Sequence, residues 1–175
     1  TDGWQSYARE NGSLERIRWT GGKMALPESV ETRKNGLILR FNESIDPSSL
    51  KSKKAFAAQW NYLHSEAYGS PEYSVRNPGL TGHDPVKIRS LHALKDGKSV
   101  FVEIPQLHPV MQFHLHLDLK AKDGRAFATD LYYSIFHQGK EFTDFPGYRK
   151  IAKRNWNDFP RADESPVDPR LLAQE

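Results

Sequence analysis

Apolar and polar residues alternate with a period of two through most of the middle of this chain. Leu37, Leu39 and Phe41 fall on one side of a strand, as do Val100, Val102 and Ile104, and again Leu131, Tyr133 and Ile135. Met111, Phe113, Leu115, Leu117 and Leu119 make the longest stripe, with Gln112, His114, His116 and Asp118 opposite. Such alternation marks a strand with one face buried and one face wet. The stripes break at Asn35-Gly36, Asp96-Gly97 and Asp123-Gly124, pairs that tolerate the positive φ of tight hairpin turns. They place strands over 29–33 and 37–41, over 86–94 and 99–104, and over 111–120 and 127–136. The pattern predicts an all-β fold, an antiparallel β-sandwich.

Helical signals are few. Residues 48–51 follow Asp46-Pro47 and suit one helical turn capped by Asp46 or Ser48. Over 147–157, Tyr148, Ile151, Ala152 and Trp156 can share a helical face, with Arg149, Lys150, Lys153 and Arg154 on its solvated side. Beyond Phe159 the chain turns to Pro160, Pro166 and Pro169 among charged residues, the composition of an extended tail. At the other end, residues 12–21 read as a single extra strand, followed by a linker rather than a hairpin. The expected organisation is therefore an N-terminal strand and linker over 1–25, a sandwich over 26–137, and a short helical or extended C-terminal extension over 138–175.

Composition narrows the chemistry. In 175 residues a core can bury roughly 70% of the unfolded surface without staples. The absence of Cys excludes disulfides, thiolate metal sites, Cys nucleophiles and covalent c-type haem attachment. A formal charge of +3, from 25 Lys and Arg against 22 Asp and Glu, gives no global attraction to nucleic acid. No apolar run is long enough for a membrane-spanning helix, and Thr1-Asp2-Gly3-Trp4 does not begin a signal peptide, as expected of a mature fragment. No nucleophile elbow or Gly-rich phosphate loop is present, so no catalytic residue and no cofactor is assigned.

Residues 39–47, Leu-Arg-Phe-Asn-Glu-Ser-Ile-Asp-Pro, with the Asp96-Gly97-Lys98 hairpin and the strand ending at Pro105, resemble a bacterial immunoglobulin-like repeat. The later Leu107-His108-Pro109-Val110 and Lys122-Asp123-Gly124 fit the same pattern, and the likeness covers residues 26–137. Trp60-Asn61-Tyr62, Tyr68-Gly69-Ser70 and Gly82-His83-Asp84-Pro85-Val86 resemble a domain of large planctomycete-type proteins. Those proteins join a sorbosone-dehydrogenase-like β-propeller to haem-binding domains. Residues 12–21 match the form of their last propeller strand, with Trp19 in place of Tyr. The resemblance implies an immunoglobulin-like accessory or interdomain module, periplasmic or extracellular, whose partners are neighbouring domains of a sugar-oxidoreductase-like or haem-binding parent. It supplies no catalytic residue.

The candidate surface is the run 60–73, where Trp60, Tyr62, Tyr68 and Tyr73 crowd around Glu66 and Gly69-Ser70-Pro71. Strand parity with Phe56 and Ala58 directs Trp60 and Tyr62 into the core. Tyr68 and Tyr73 then remain to pack on a neighbouring domain or to stack on a sugar, with Glu66, His83 and Asp84 supplying hydrogen bonds. A glycan is thus an alternative partner, held by the insertion over 61–85. His83, preceding Asp84-Pro85, also suits a turn residue bonded to backbone. His114 and His116 lie two apart on one strand, so both rings point to the same side, where they can share a metal or simply line a solvated face.

Overall fold

The computed structural model describes residues 16–62, 69 and 71–155. Among these, the strands in chain order are β1 (Pro27–Arg33), β2 (Gly36–Phe41), β3 (Ala55–Tyr62), β4 (Glu72–Tyr73), β5 (Asp84–Pro85), β6 (Ser90–Ala93), β7 (Ser99–Glu103), β8 (Val110–Lys120) and β9 (Ala126–Ile135). They form two antiparallel sheets. The first runs β1-β2-β7-β6 and the second β4-β3-β8-β9, with β5 also paired to β3. Leu37, Leu39 and Phe41 of β2 and Val100 and Val102 of β7 meet Ala57 of β3 and Phe113, Leu115, Leu117 and Leu119 of β8 in one core. The alternation therefore yields the all-β sandwich that it predicts.

The turns follow their chemistry, with one shift. Gly97 and Gly124 adopt positive φ in the β6–β7 and β8–β9 hairpins. In the β1–β2 hairpin, Arg33 already pairs with Gly36, so Lys34 and Asn35 turn the chain and Gly36 belongs to β2. Gly36 serves close approach: a Cβ there would lie 2.1 Å from the Val102 carbonyl oxygen and 2.8 Å from the Phe101 ring. The turn after Asp46 is a 3-10 turn, Pro47–Ser49, with the Asp46 carboxylate accepting from Ser48 N, as capping requires. Met111 leaves its predicted stripe. The pairing of β8 with β9 shifts between Val110 and Phe113, a bulge that sends Val110 into the core and leaves Met111 exposed.

The outer face of the first sheet is covered by the chain that follows β9. Phe101 points outward from β7 yet is wholly buried, because Phe142 and Phe145 lie over it with ring centroids 4.8 and 4.9 Å away. Asn35 clamps this strap, donating to Phe142 O at 2.7 Å and accepting from Phe142 N at 2.9 Å. The helix predicted over 147–157 does not form in its described part, residues 147–155. Backbone groups that a helix would use are taken by the sandwich: Gln106 donates to Ala152 O and accepts from Arg154 N. Lys153, read as part of a solvated basic side, instead donates to Leu107 O and to Gln138 Oε1. Of the strand expected over 12–21, residues 12–15 lie outside the described residues, and 16–21 form no strand.

Candidate functional site

The candidate region is the outer face of the second sheet, and its geometry starts from β3. Ala55 and Ala57 face β8 from the core side, opposite Leu117 and Leu115. Trp60 pairs with Gln112 and therefore shares the outer face with His114. This reverses the expected parity, which placed Phe56, Ala58, Trp60 and Tyr62 inward. The leucines and Phe113 of β8 fill the space between the sheets, so small alanines suffice opposite them.

Trp60 is nonetheless only 4% exposed. The His83 ring stacks flat on it, centroids 3.8 Å apart and planes within 10°, and the Tyr132 ring meets it edge-on at 6.4 Å. The His83 ring is held in turn by its Nε2 contact with the Glu72 carboxylate. Trp60 thus acquires its burial from outside the sandwich core, and its Nε1 has no hydrogen-bond partner among the described residues.

The segment 71–86 folds back along β3. Tyr73 pairs with Asn61, and Asp84 and Pro85 pair with Gln59 and Ala58. Asp84, fully buried, accepts from Ser74 Oγ at 2.7 Å, from Val75 N at 2.8 Å and from Arg76 N at 2.9 Å. Ser74 Oγ also accepts from Asn77 N. A buried carboxylate with three donors is satisfied, so Asp84 pins the loop and offers nothing to a ligand. His83 is likewise occupied by Trp60 and Glu72. Tyr73 is half-buried in β4, and Glu66 and Tyr68 lie outside the described residues.

His114 and His116 do share the outer face of β8, as their spacing predicts. Between them stands Asp130 of β9, which neither spacing nor composition singled out. Its Oδ1 takes a hydrogen bond from His114 Nε2 at 2.7 Å and one from His116 Nδ1 at 2.9 Å. Burial alone would raise the Asp130 carboxyl, but the hydrogen bonds and charge of the two imidazoles hold it below the ordinary carboxylate range. Beside it the Tyr132 ring stacks on His114, centroids 4.1 Å apart and planes within 7°. Among the described residues no group of three or more His, Cys, Asp or Glu is placed to hold a metal ion. Asp130 and Tyr132 were missed although a signal existed. Counting outward from the Asp123-Gly124 turn sets Tyr132 opposite His114 and Asp130 opposite His116.

Comparison of the chain with protein-family models, with curated proteins and with solved structures returns no match. Among the described residues no helix is long and apolar enough to cross a membrane.

Proposed function

We propose that this chain is a non-catalytic, immunoglobulin-like accessory or interdomain module of an exported bacterial multidomain protein, working in the periplasm or outside the cell. The immunoglobulin-like reading draws on strand order. With β1, β2, β3, β6, β7, β8 and β9 lettered A to G, the sheets read A-B-E-D and C-F-G, the constant-type arrangement. The short β4 and β5 are additions between C and D. One departure stands out: the Trp of strand C lies on the outer face, where such domains carry it in the core.

The observation that carries the module reading is the lead-in to β1. Residues 16–26 join no sheet, and Ile17 and Trp19 are 97% and 64% exposed, with Met24 and Leu26 exposed after them. Apolar side chains gathered on an extended segment mark a surface that another body covers. A neighbouring domain of the same parent is that body in this reading, and the parent is of the sugar-oxidoreductase-like or haem-binding type that the sequence resembles. The test is amide hydrogen exchange on this chain alone and on the full protein encoded by its gene. Protection of residues 16–26 gained only in the full protein supports the module. Equal, fast exchange in both, or a full protein with no further domain, removes its basis.

A further inference from the structure

Where the outer face of the second sheet ends, a cleft of about 530 Å³ opens between the turns after β2 and the ends of β8 and β9. Lys51, Lys54 and Lys120 line it, with Ser48 and the edge of Phe127. Among the described residues, no carboxylate stands within ion-pair distance of these three ammonium groups. The one carboxylate lining the cleft, Asp118, pairs instead with His116 Nε2 at 3.4 Å. The three ammonium groups outnumber the lining carboxylate Asp118 and the neighbouring Asp46, which feels the charge of Lys120, so the concave site stays positive on balance and favours an anionic group of a ligand.

The same face continues from the cleft along β9. Ala126 and Ala128 line the cleft and leave the sheet surface clear. Asp130 comes next, and its Oδ1 receives both imidazoles while its Oδ2 carries no hydrogen bond and remains an acceptor. Tyr132 follows, a residue 62% exposed whose ring is held flat against His114. At about 3.4 Å per residue, the distance from Tyr132 to Ala128 is roughly 14 Å, more than one sugar ring spans.

We propose that this strip binds an acidic oligosaccharide of the uronate class. The apolar C–H face of one sugar lies on the electron-rich face of Tyr132. A hydroxyl donates to Asp130 Oδ2. Further along, a sugar carboxylate sits among Lys51, Lys54 and Lys120. The charge pattern selects among ligands. A neutral glycan leaves the lysines unused, and a densely sulfated glycan, its hydroxyls esterified, offers Asp130 Oδ2 no donor. A sugar chain that mixes hydroxyls with carboxylates meets each part of the strip with its complement. The site is separate from residues 16–26, so its outcome is independent of the interdomain reading.

Isothermal titration tests this with short galacturonate and alginate oligomers, their methyl esters, and dextran sulfate as a plain polyanion. The proteins are the intact chain, a Lys51→Ala/Lys54→Ala variant and Tyr132→Ala, each checked for unchanged circular dichroism and melting. At least one uronate oligomer binds, and both its methyl ester and each variant bind about tenfold more weakly or worse. Equal binding of acid and ester overturns the lysine cleft. Binding of dextran sulfate as tight as uronate, with Tyr132→Ala without effect, reduces the site to charge attraction and overturns the proposal. No binding of any uronate overturns it as well.

Discussion

The two sheets of this sandwich obey the same alternation, yet their outer faces come to opposite ends. On the first sheet Phe101 points away from the core and is sealed by Phe142 and Phe145 of the strap. On the second, Tyr132 points away from the core and stays open, while Trp60 beside it is roofed by the His83 ring. Alternation tells which residues share a face. Whether an outer face is wet is decided by chain that arrives from elsewhere.

The comparison breaks most visibly through Phe101. Phe101→Ala removes a fully buried ring between two others and lowers unfolding stability by about 3–5 kcal/mol, read from the urea midpoint at constant slope. A loss below about 1 kcal/mol means that the strap does not seal that face. Next in size, Asp84→Ala strands Ser74 Oγ, Val75 N and Arg76 N and costs about 1–3 kcal/mol. Amide exchange at Val75 and Arg76 rises more than in the core strands. Uniform exchange across the chain instead makes Asp84 a global rather than a local pin.

The two halves also titrate in different windows. His108, near the end of the strap, is pushed down from its ordinary 6.5 to about 4, first by burial and then by the charge of Lys153. Between those values the unfolded chain binds a proton that the folded chain does not, so stability falls as pH drops from 6.5 toward 4. Asp130 is also depressed, so its contribution is present above 3.8 and disappears as pH falls through its lowered folded value. His108→Gln therefore flattens the loss between pH 7 and pH 5. Urea midpoints at the two pH values check this, and an unchanged slope in His108→Gln sinks the assignment. The smallest effect belongs to Tyr132→Ala, which alters stability by no more than about 0.5 kcal/mol because its ring is largely exposed. A loss matching that of Phe101→Ala would erase the distinction between the two faces.

Much of the sandwich was legible in the sequence because strand alternation and hairpin turns are local. The stripes of β2, β7, β8 and β9 and the Asp-Gly turns carry their own instructions. What escaped was set by distant partners. Strand parity with Phe56 and Ala58 directs Trp60 to the core. Residues 71–86 bury it on the other side instead. Met111 continues a perfect stripe in sequence, and only the pairing with β9 reveals the bulge. The stretch 147–155 has helical spacing, yet its backbone is claimed by Gln106. Of the named site residues, His83 and Asp84 proved to be fasteners. The residues that lie open, Tyr132 and Asp130, become visible once the hairpin register is counted.

The strap also imposes an order of events during synthesis. Residues 138–148 emerge from the ribosome after every strand of both sheets, so β7 presents Phe101 bare while the remainder of the domain is already able to pair. Until Asn35 captures Phe142, the nascent domain carries an adhesive aromatic surface. A stalled or truncated chain ending near residue 137 is then the species a holdase chaperone would recognise, and the one most prone to self-association.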